Sequence, residues 1–212
     1  MALKGRGMDS KEYFGAVAAG WDRMREGFFT AALRDKVIAA SGASAGMTVA
    51  DIGAGSGFLT EGLLATGAKV IAVDQSPQML SVLRAKYPAV DARLGEADTL
   101  PVENGTVDIA MANMYLHHVE RPEIAIKEMA RILKPGGTLA ISDLDSHNHE
   151  FLRVEHHDRW MGFHRADVAR WLEEAGLSQI RVDCAEETCR SQAQSGAAKA
   201  EISIFIAAGR KP

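Results

Sequence analysis

Val49-Ala50-Asp51-Ile52-Gly53-Ala54-Gly55-Ser56-Gly57-Phe58, continued through Leu59 to Ala65 and then Lys69-Val70-Ile71-Ala72-Val73-Asp74, is the stretch on which the fold turns. An apolar β-type run, Thr48 to Ile52, enters three glycines at alternate positions, and these open a helical stretch. Glycine at such a junction permits a tight turn and a close approach of main chain to ligand, while the helix start offers free amides. The second run, Lys69 to Val73, is closed by Asp74, whose carboxylate can accept both hydroxyls of an adenosine ribose.

Spacing separates the two cofactor classes that use this arrangement. A dinucleotide fingerprint, G-x-G-x-x-G or A, requires Gly or Ala at position 58, which is Phe. The loop here is acid-x-G-x-G-x-G, led by Asp51, and a carboxylate beside the loop suits a cationic methionine end better than a pyrophosphate. A glycine turn without a ligand is the alternative.

Outward from the loop, short apolar runs alternate with helical segments. Strands are expected at Thr48 to Ile52, Lys69 to Val73, Val107 to Met111 and Thr138 to Ser142, near-continuously apolar as parallel strands covered on both faces are. Ser76-Pro77 starts a helix with Met79, Leu80 and Leu83 as its apolar stripe, and Arg121 to Leu133 forms another that stops at Lys134-Pro135-Gly136-Gly137. Two helices are expected between Ser10 and Ser41-Gly42, and Met1 to Asp9 is expected to fray. The last third offers a helix near Asp167 to Ala175 and strands near Gln179 to Val182 and Ile202 to Ala207. Between those strands, Ala185 to Ala200 reads as a mobile loop. This alternation implies right-handed βαβ crossovers and an α/β, doubly wound sheet, with ligands outside the carboxyl ends of its strands.

Composition narrows the function. The 212 residues, 47% hydrophobic and 25% charged, suffice for one core. A formal charge of −4 makes nucleic-acid backbones and anionic membranes poor partners, leaving small molecules. The first twenty residues lack a signal-peptide core, and no run approaches the roughly 18 apolar residues of a membrane span. Cys184 and Cys189 form no C-x-x-C pair. A cytoplasmic protein with reduced thiols and no membrane insertion is expected.

Residues 49–80 resemble the first two motifs of class I S-adenosylmethionine-dependent methyltransferases. Gly95-Glu96-Ala97-Asp98-Thr99-Leu100-Pro101 is similar to their third-strand motif G-D-A-x-x-L-P, with Glu96 for the usual Asp. Val107 to His118 resembles the fourth strand with its loop, and Arg131 to Gly137 the lead into the fifth. The resemblance is to the methyltransferase type 11 group that includes ubiquinone and menaquinone biosynthesis enzymes. It implies a Rossmann-like sheet of seven strands, mostly parallel with an antiparallel last strand and helices on both faces, and S-adenosyl-L-methionine as cofactor. It further implies that residues 1–45 form a helical lid within one domain whose core is 46–212.

Carried over residue by residue, Asp51 and the backbone of Gly53, Ala54, Gly55 and Gly57 would face the methionine portion, and Asp74 the ribose. Gln75 and Met79 would flank the adenine, Glu96 and Ala97 read its edge, and Asn113 offer backbone near the sulfonium. Tyr13, Phe14 and Trp21 either form the lid or pack as ordinary helix aromatics.

Methyl transfer is an in-line displacement, so the enzyme chiefly aligns a nucleophile and excludes water. The acceptor side is sought in Asp143 to Phe163, which carries four of the seven histidines and resembles modules fused to arsenic-repressor-like regulators. Asp143, His147, His149, Arg153 and His156, with His118 after the fourth strand, are candidates to hold or deprotonate a small-molecule acceptor. The other readings are a structural cluster and a metal site, although the spacings match no closed zinc pattern and no metal is expected. A nicotinamide-dependent oxidoreductase is disfavoured by Phe58 and by the lack of a Tyr-x-x-x-Lys pair. A cofactor-binding protein without turnover, and a homodimeric state, stay open.

Overall fold

The computed structural model describes residues 10–193, 195–196 and 198–212, so Met1 to Asp9, expected to fray, lie outside the described residues. Seven strands form one sheet: β1 (Thr48–Ile52), β2 (Lys69–Asp74), β3 (Asp91–Leu94), β4 (Val107–Asn113), β5 (Leu133–Leu144), β6 (Ser178–Gln192) and β7 (Lys199–Arg210). Their spatial order is β3-β2-β1-β4-β5-β7-β6, with β1 to β5 parallel and β7 antiparallel to both neighbours. The order reverses between β1 and β4, the position where an open α/β sheet leaves a crevice at its strand ends.

The helices are α1 (Ser10–Val17), α2 (Trp21–Arg25), α3 (Ala31–Ser41), α4 (Phe58–Ala65), α5 (Pro77–Lys86), α6 (Pro122–Ile132), α7 (Glu150–Glu155) and α8 (Arg165–Glu174). The expected caps are realised at α5, where Met79 N donates to Ser76 Oγ at 3.2 Å and Pro77 fills the first turn. The α6 helix buries Ala125, Ile126, Met129 and Ile132 against Val107, Ala110 and Leu139 of the central strands, which also meet Val168 and Leu172 of α8. On the other face, Val37 and Ile38 of α3 and Leu59 and Leu63 of α4 cover Val49, Ile109 and Met111. Both faces are therefore covered, and β1 and β4 are buried at nearly every position.

Three expectations need correcting. The stretch before the sheet, expected as two helices, forms three, α1, α2 and α3. Lys134-Pro135-Gly136-Gly137 does end the helix, but it already belongs to β5: Gly136 N donates to Lys211 O at 2.8 Å and Lys211 N to Gly137 O at 2.9 Å. The segment from Ala185 to Ala200, expected as a loop, mostly extends a hairpin, pairing Thr188 with Ser203 and Cys189 with Ile202, through Gln192 with Lys199. Its inward positions are Ala185, Cys189, Ala193, Ala200 and Ile202, so the alternation of a half-buried strand is present but carried mainly by small side chains. Ala185, Cys189, Ala200 and Ile202 pack against Phe29, Leu33, Leu144 and Leu152, and Arg190 N donates to Phe28 O at 3.0 Å. The hairpin thus anchors the chain that leads out of α2.

Candidate active site

A cavity of about 490 Å³ opens over the carboxyl ends of β1, β2 and β4. Its floor is the glycine loop, held to β2 by bonds from Gly53 N and Ala54 N to Val73 O (2.9 and 3.1 Å). Gly53 sits at φ +68°, and a Cβ there would lie 2.2 Å from the Tyr115 ring, so glycine is required twice over. Asp74 closes the loop, accepting from Gly55 N and Ser76 N at 2.8 Å each, and burial raises its pKa against those bonds.

The leading helices roof this cavity. Phe14 stands edge-on to Trp21 at 5.2 Å and to His118 at 4.8 Å. Two polar ties fasten the roof: Lys11 to Glu96 at 2.8 Å, and Asp22 to Ser56 at 2.6 Å and Lys86 at 2.9 Å. Arg25, one turn beyond Trp21, also lines the cavity, its guanidinium 4.1 Å from the Phe58 ring centre. Its Nε is buried and unpartnered among the described residues, and burial lowers its pKa.

A second cavity of about 60 Å³ shares Phe14, Trp21, Phe29, Met114 and His118 with the first. Its far wall brings Tyr13, Phe28, Leu152, His156, Asp158, Cys189 and Ser191 together from four stretches of chain. His156 lies between two hydroxyls, Tyr13 Oη at 3.3 Å from Nδ1 and Ser191 Oγ at 3.2 Å from Nε2. Burial holds His156 below the usual histidine range. His118 is held well below it, by burial and then by the charge of His117, while the backbone of His157 also reaches its imidazole.

Behind His118, Asp143 is fully buried and accepts four bonds: from Tyr115 N (3.2 Å), Leu116 N (2.8 Å), Leu144 N (2.8 Å) and His117 Nδ1 (2.7 Å). Burial works to lower the His117 pKa, but the charges of Asp143 and Asp158 outweigh it and hold it above the usual value. Asp143 therefore shapes the loop that carries His118, and it lines neither cavity.

Of the residues singled out in the sequence, Trp21, Gly53, Ala54, Gly55, Asp74, Gln75, Met79, Glu96, Ala97, Asn113 and His118 all line the large cavity. Asp51 and Gly57 stand behind its wall. Asp51 accepts the Thr60 hydroxyl at 2.6 Å, and burial raises its pKa to about 7. Gly57, at φ +97°, starts α4. The histidine-rich segment divides. His156 reaches the second cavity, whereas His147, His149 and Arg153 line neither, and Arg153 is exposed and paired with Glu150. Arg25, Tyr115 and Asp158 were not picked out. Arg25 follows Trp21 at i,i+4 on one helix face, a signal that was available.

The strand order, the reversed last strand and the glycine loop define the Rossmann-like fold of class I methyltransferases, and S-adenosylmethionine is the cofactor this cradle fits. Comparison with known proteins agrees. Residues 50–141 match the family model described as a methyltransferase domain, Methyltransf_11. An uncharacterized methyltransferase of Mycobacterium tuberculosis is 39% identical over 128 residues, 60% of this chain and 50% of that protein. A demethylmenaquinone methyltransferase of Renibacterium salmoninarum is 36% identical over 110 residues, 52% of this chain and 46% of that one. The chain thus spans about half the length of these relatives. Among solved structures, a complex of the Haloferax volcanii Trm112 methyltransferase activator with a methyltransferase superposes with TM-score 0.76 at 22% identity, covering 96% of this chain and 98% of that one. Among the described residues no helix is long and apolar enough to cross a membrane.

Proposed function

We propose that this chain transfers a methyl group from S-adenosylmethionine to a small-molecule acceptor seated in the second cavity. One observation carries the reading: the two cavities share a wall of Phe14, Trp21, Phe29, Met114 and His118, so a ligand in each would meet there. In this reading the glycine loop holds the methionine portion, Arg25 faces its carboxylate, Asp51 supports it from behind, and Asp74 takes the ribose. Gln75, Met79, Glu96 and Ala97 hold the adenine, and Asn113 stands near the sulfonium. Residues 10–45 act as the lid, latched through Lys11 and Asp22.

The acceptor wall is largely aromatic, which excludes water and aligns an apolar or aromatic body with the sulfonium. An acceptor that arrives protonated needs a base, and His156 and His118, neutral at pH 7, stand at the polar side of that wall. Asp143 acts through the loop it holds. The resemblance of residues 143–163 to modules fused to arsenic-repressor-like regulators supports a shared acceptor segment. His147, His149 and Arg153 enter this reading only as the support of α7.

Calorimetry with S-adenosylmethionine and with NADH tests the cofactor half, with micromolar binding of the first and none of the second expected. Radiolabelled S-adenosylmethionine offered with pools of small acceptors tests transfer. Tight cofactor binding with no labelled product from any pool would leave a binding protein without turnover.

A further inference from the structure

His117, His118 and Asp158 converge where the two cavities back onto the β4–α6 turn. Asp158 Oδ1 lies 3.9 Å from His117 Nε2 and 3.7 Å from His118 Nδ1, too far for hydrogen bonds, and the three donor atoms all lie within 4.8 Å of one another. His118 Nδ1 is buried and has no hydrogen-bond partner among the described residues. His118 Nδ1 is thus left unsatisfied beside two further ligand atoms aimed at the same point, which is costly for a buried polar group unless something occupies that point.

The surroundings are those of a built site. His117 Nδ1 donates to the buried Asp143 at 2.7 Å, which turns Nε2 toward Asp158 as the atom a metal would take in place of a proton, the carboxylate–histidine arrangement that orients metal ligands. Asp158 is brought over by two main-chain bonds, from Arg159 N and Trp160 N to His117 O at 2.9 and 3.1 Å, and by His157 at φ +59°, which turns the chain inward after α7. The donor set, two imidazoles and one carboxylate, is that of an open site with three protein ligands.

We propose that His117 Nε2, His118 Nδ1 and Asp158 bind a divalent first-row transition metal ion of the zinc type, with an open coordination position toward the second cavity. Ligand atoms about 2.0–2.1 Å from such an ion sit about 3.4 Å apart, so binding draws the three inward by a few tenths of an ångström to about 1 Å. The ion would hold an oxygen, nitrogen or sulfur of the acceptor and ease loss of its proton, leaving His156 as the nearby base. The spacing of the histidines did not suggest this because two ligands are adjacent and the third lies forty positions on, in the segment read as a separate cluster. The place of the acceptor rests on the proposed methyl transfer; the metal site does not.

The test uses the full chain without cofactor or acceptor. Zn²⁺ is titrated calorimetrically, and Co²⁺ is followed by its visible absorption, which is intense only at low coordination number. One ion per chain at micromolar affinity or tighter is expected. His118→Ala and Asp158→Asn should each weaken binding by at least about 100-fold, and Asp143→Asn by about 10- to 100-fold. Substituting the exposed His164 or the exposed Cys184 should change nothing. S-adenosylmethionine binding serves as the folding control for each variant. A folded chain that binds neither ion, or that keeps its affinity without His118 and Asp158, overturns the site and leaves a proton relay between two carboxylates. Stoichiometric metal binding with no methyl transfer to any acceptor would keep the site while removing the transferase reading.

Discussion

The large cavity and the second cavity, the proposed cofactor and acceptor sides of this molecule, meet at the Phe14 and His118 wall, yet they are built differently. The cofactor side uses main-chain amides and carbonyls of consecutive residues, tied by Val73 O and the Asp74 carboxylate. The acceptor side uses side chains from α1, α2, the 114–118 turn, the 152–158 segment and the β6–β7 hairpin. Main-chain geometry depends on a few glycines and one acid, so it survives wide sequence change. Side-chain walls can be replaced one residue at a time. A fold built this way can keep its cofactor while its acceptor changes.

If the contrast is real, the largest effect belongs to the glycine loop. Gly53→Ala forces a Cβ into the Tyr115 ring at φ +68°. Left-handed strain of about 1–2 kcal/mol adds to overpacking of about 1–3 kcal/mol, so urea unfolding should show a loss of about 2–5 kcal/mol together with lost cofactor binding. Full stability and affinity in this variant would mean that the loop is not set by close packing.

Asp51 gives the next effect, and it depends on pH. Its carboxyl titrates at about 7 when folded, because burial opposes ionisation more than the Thr60 bond favours it, against 3.8 in the open chain. The folded state therefore holds this proton more tightly, and Asp51 costs stability as pH rises from about 4 to about 7, by up to about 1.4 kcal/mol per pH unit. Below that window the group is neutral in both states, and above it the penalty is complete. Asp51→Asn should match the parent near pH 4 and exceed it by a few kcal/mol near pH 8. Parallel stability curves for the two proteins would show that Asp51 is not desolvated.

Asp74→Ala should weaken S-adenosylmethionine binding by about 1.5–3 kcal/mol, the range for a bond to a charged group. Because Asp74 also accepts from Gly55 N and Ser76 N, the loop itself should loosen, and Asp74→Asn should recover part of the loss. Arg25→Met follows, with about tenfold weaker cofactor binding and little change in fold, since the Phe58 contact is retained by an apolar chain. Equal affinity in the Arg25 variant would move the methionine carboxylate elsewhere.

The same contrast explains what the sequence made legible. Runs such as Thr48 to Ile52 and Lys69 to Val73 show their burial in most of their residues, and Ser76-Pro77 or Gly57 mark helix starts locally. The outer part of the β6–β7 hairpin, Ala185 to Ala200, was read as a loop because its inward positions are Ala185, Cys189, Ala193 and Ala200, whose small side chains do not register as a β pattern until the partner strand supplies Ile202 and Ile204. Asp158 was missed because its meaning lies in His117 and His118, far away in the chain. Histidine crowding between 147 and 157 drew the eye to residues that share a segment but not a direction. His156 points into the second cavity, and His149 starts a short helix outside it.

Arg153 should give the smallest effect, and it probes the boundary of the acceptor side. It is exposed on α7 and, among the described residues, paired with Glu150, three residues earlier on the same helix. Exposed pairs of this kind contribute about 0.3–0.5 kcal/mol, so Arg153→Ala should lower the melting temperature by no more than about 1–2 °C. Cofactor affinity should be unchanged, and turnover should stay within about twofold of the parent once an acceptor is in hand, whereas His156→Ala should lose most of it. The two variants sit three residues apart, so a shared disturbance of α7 would affect both alike. A tenfold loss of turnover in Arg153→Ala, with stability intact, would show that the acceptor extends past the second cavity onto the outer face of α7, and the boundary drawn here between wall and support would move with it.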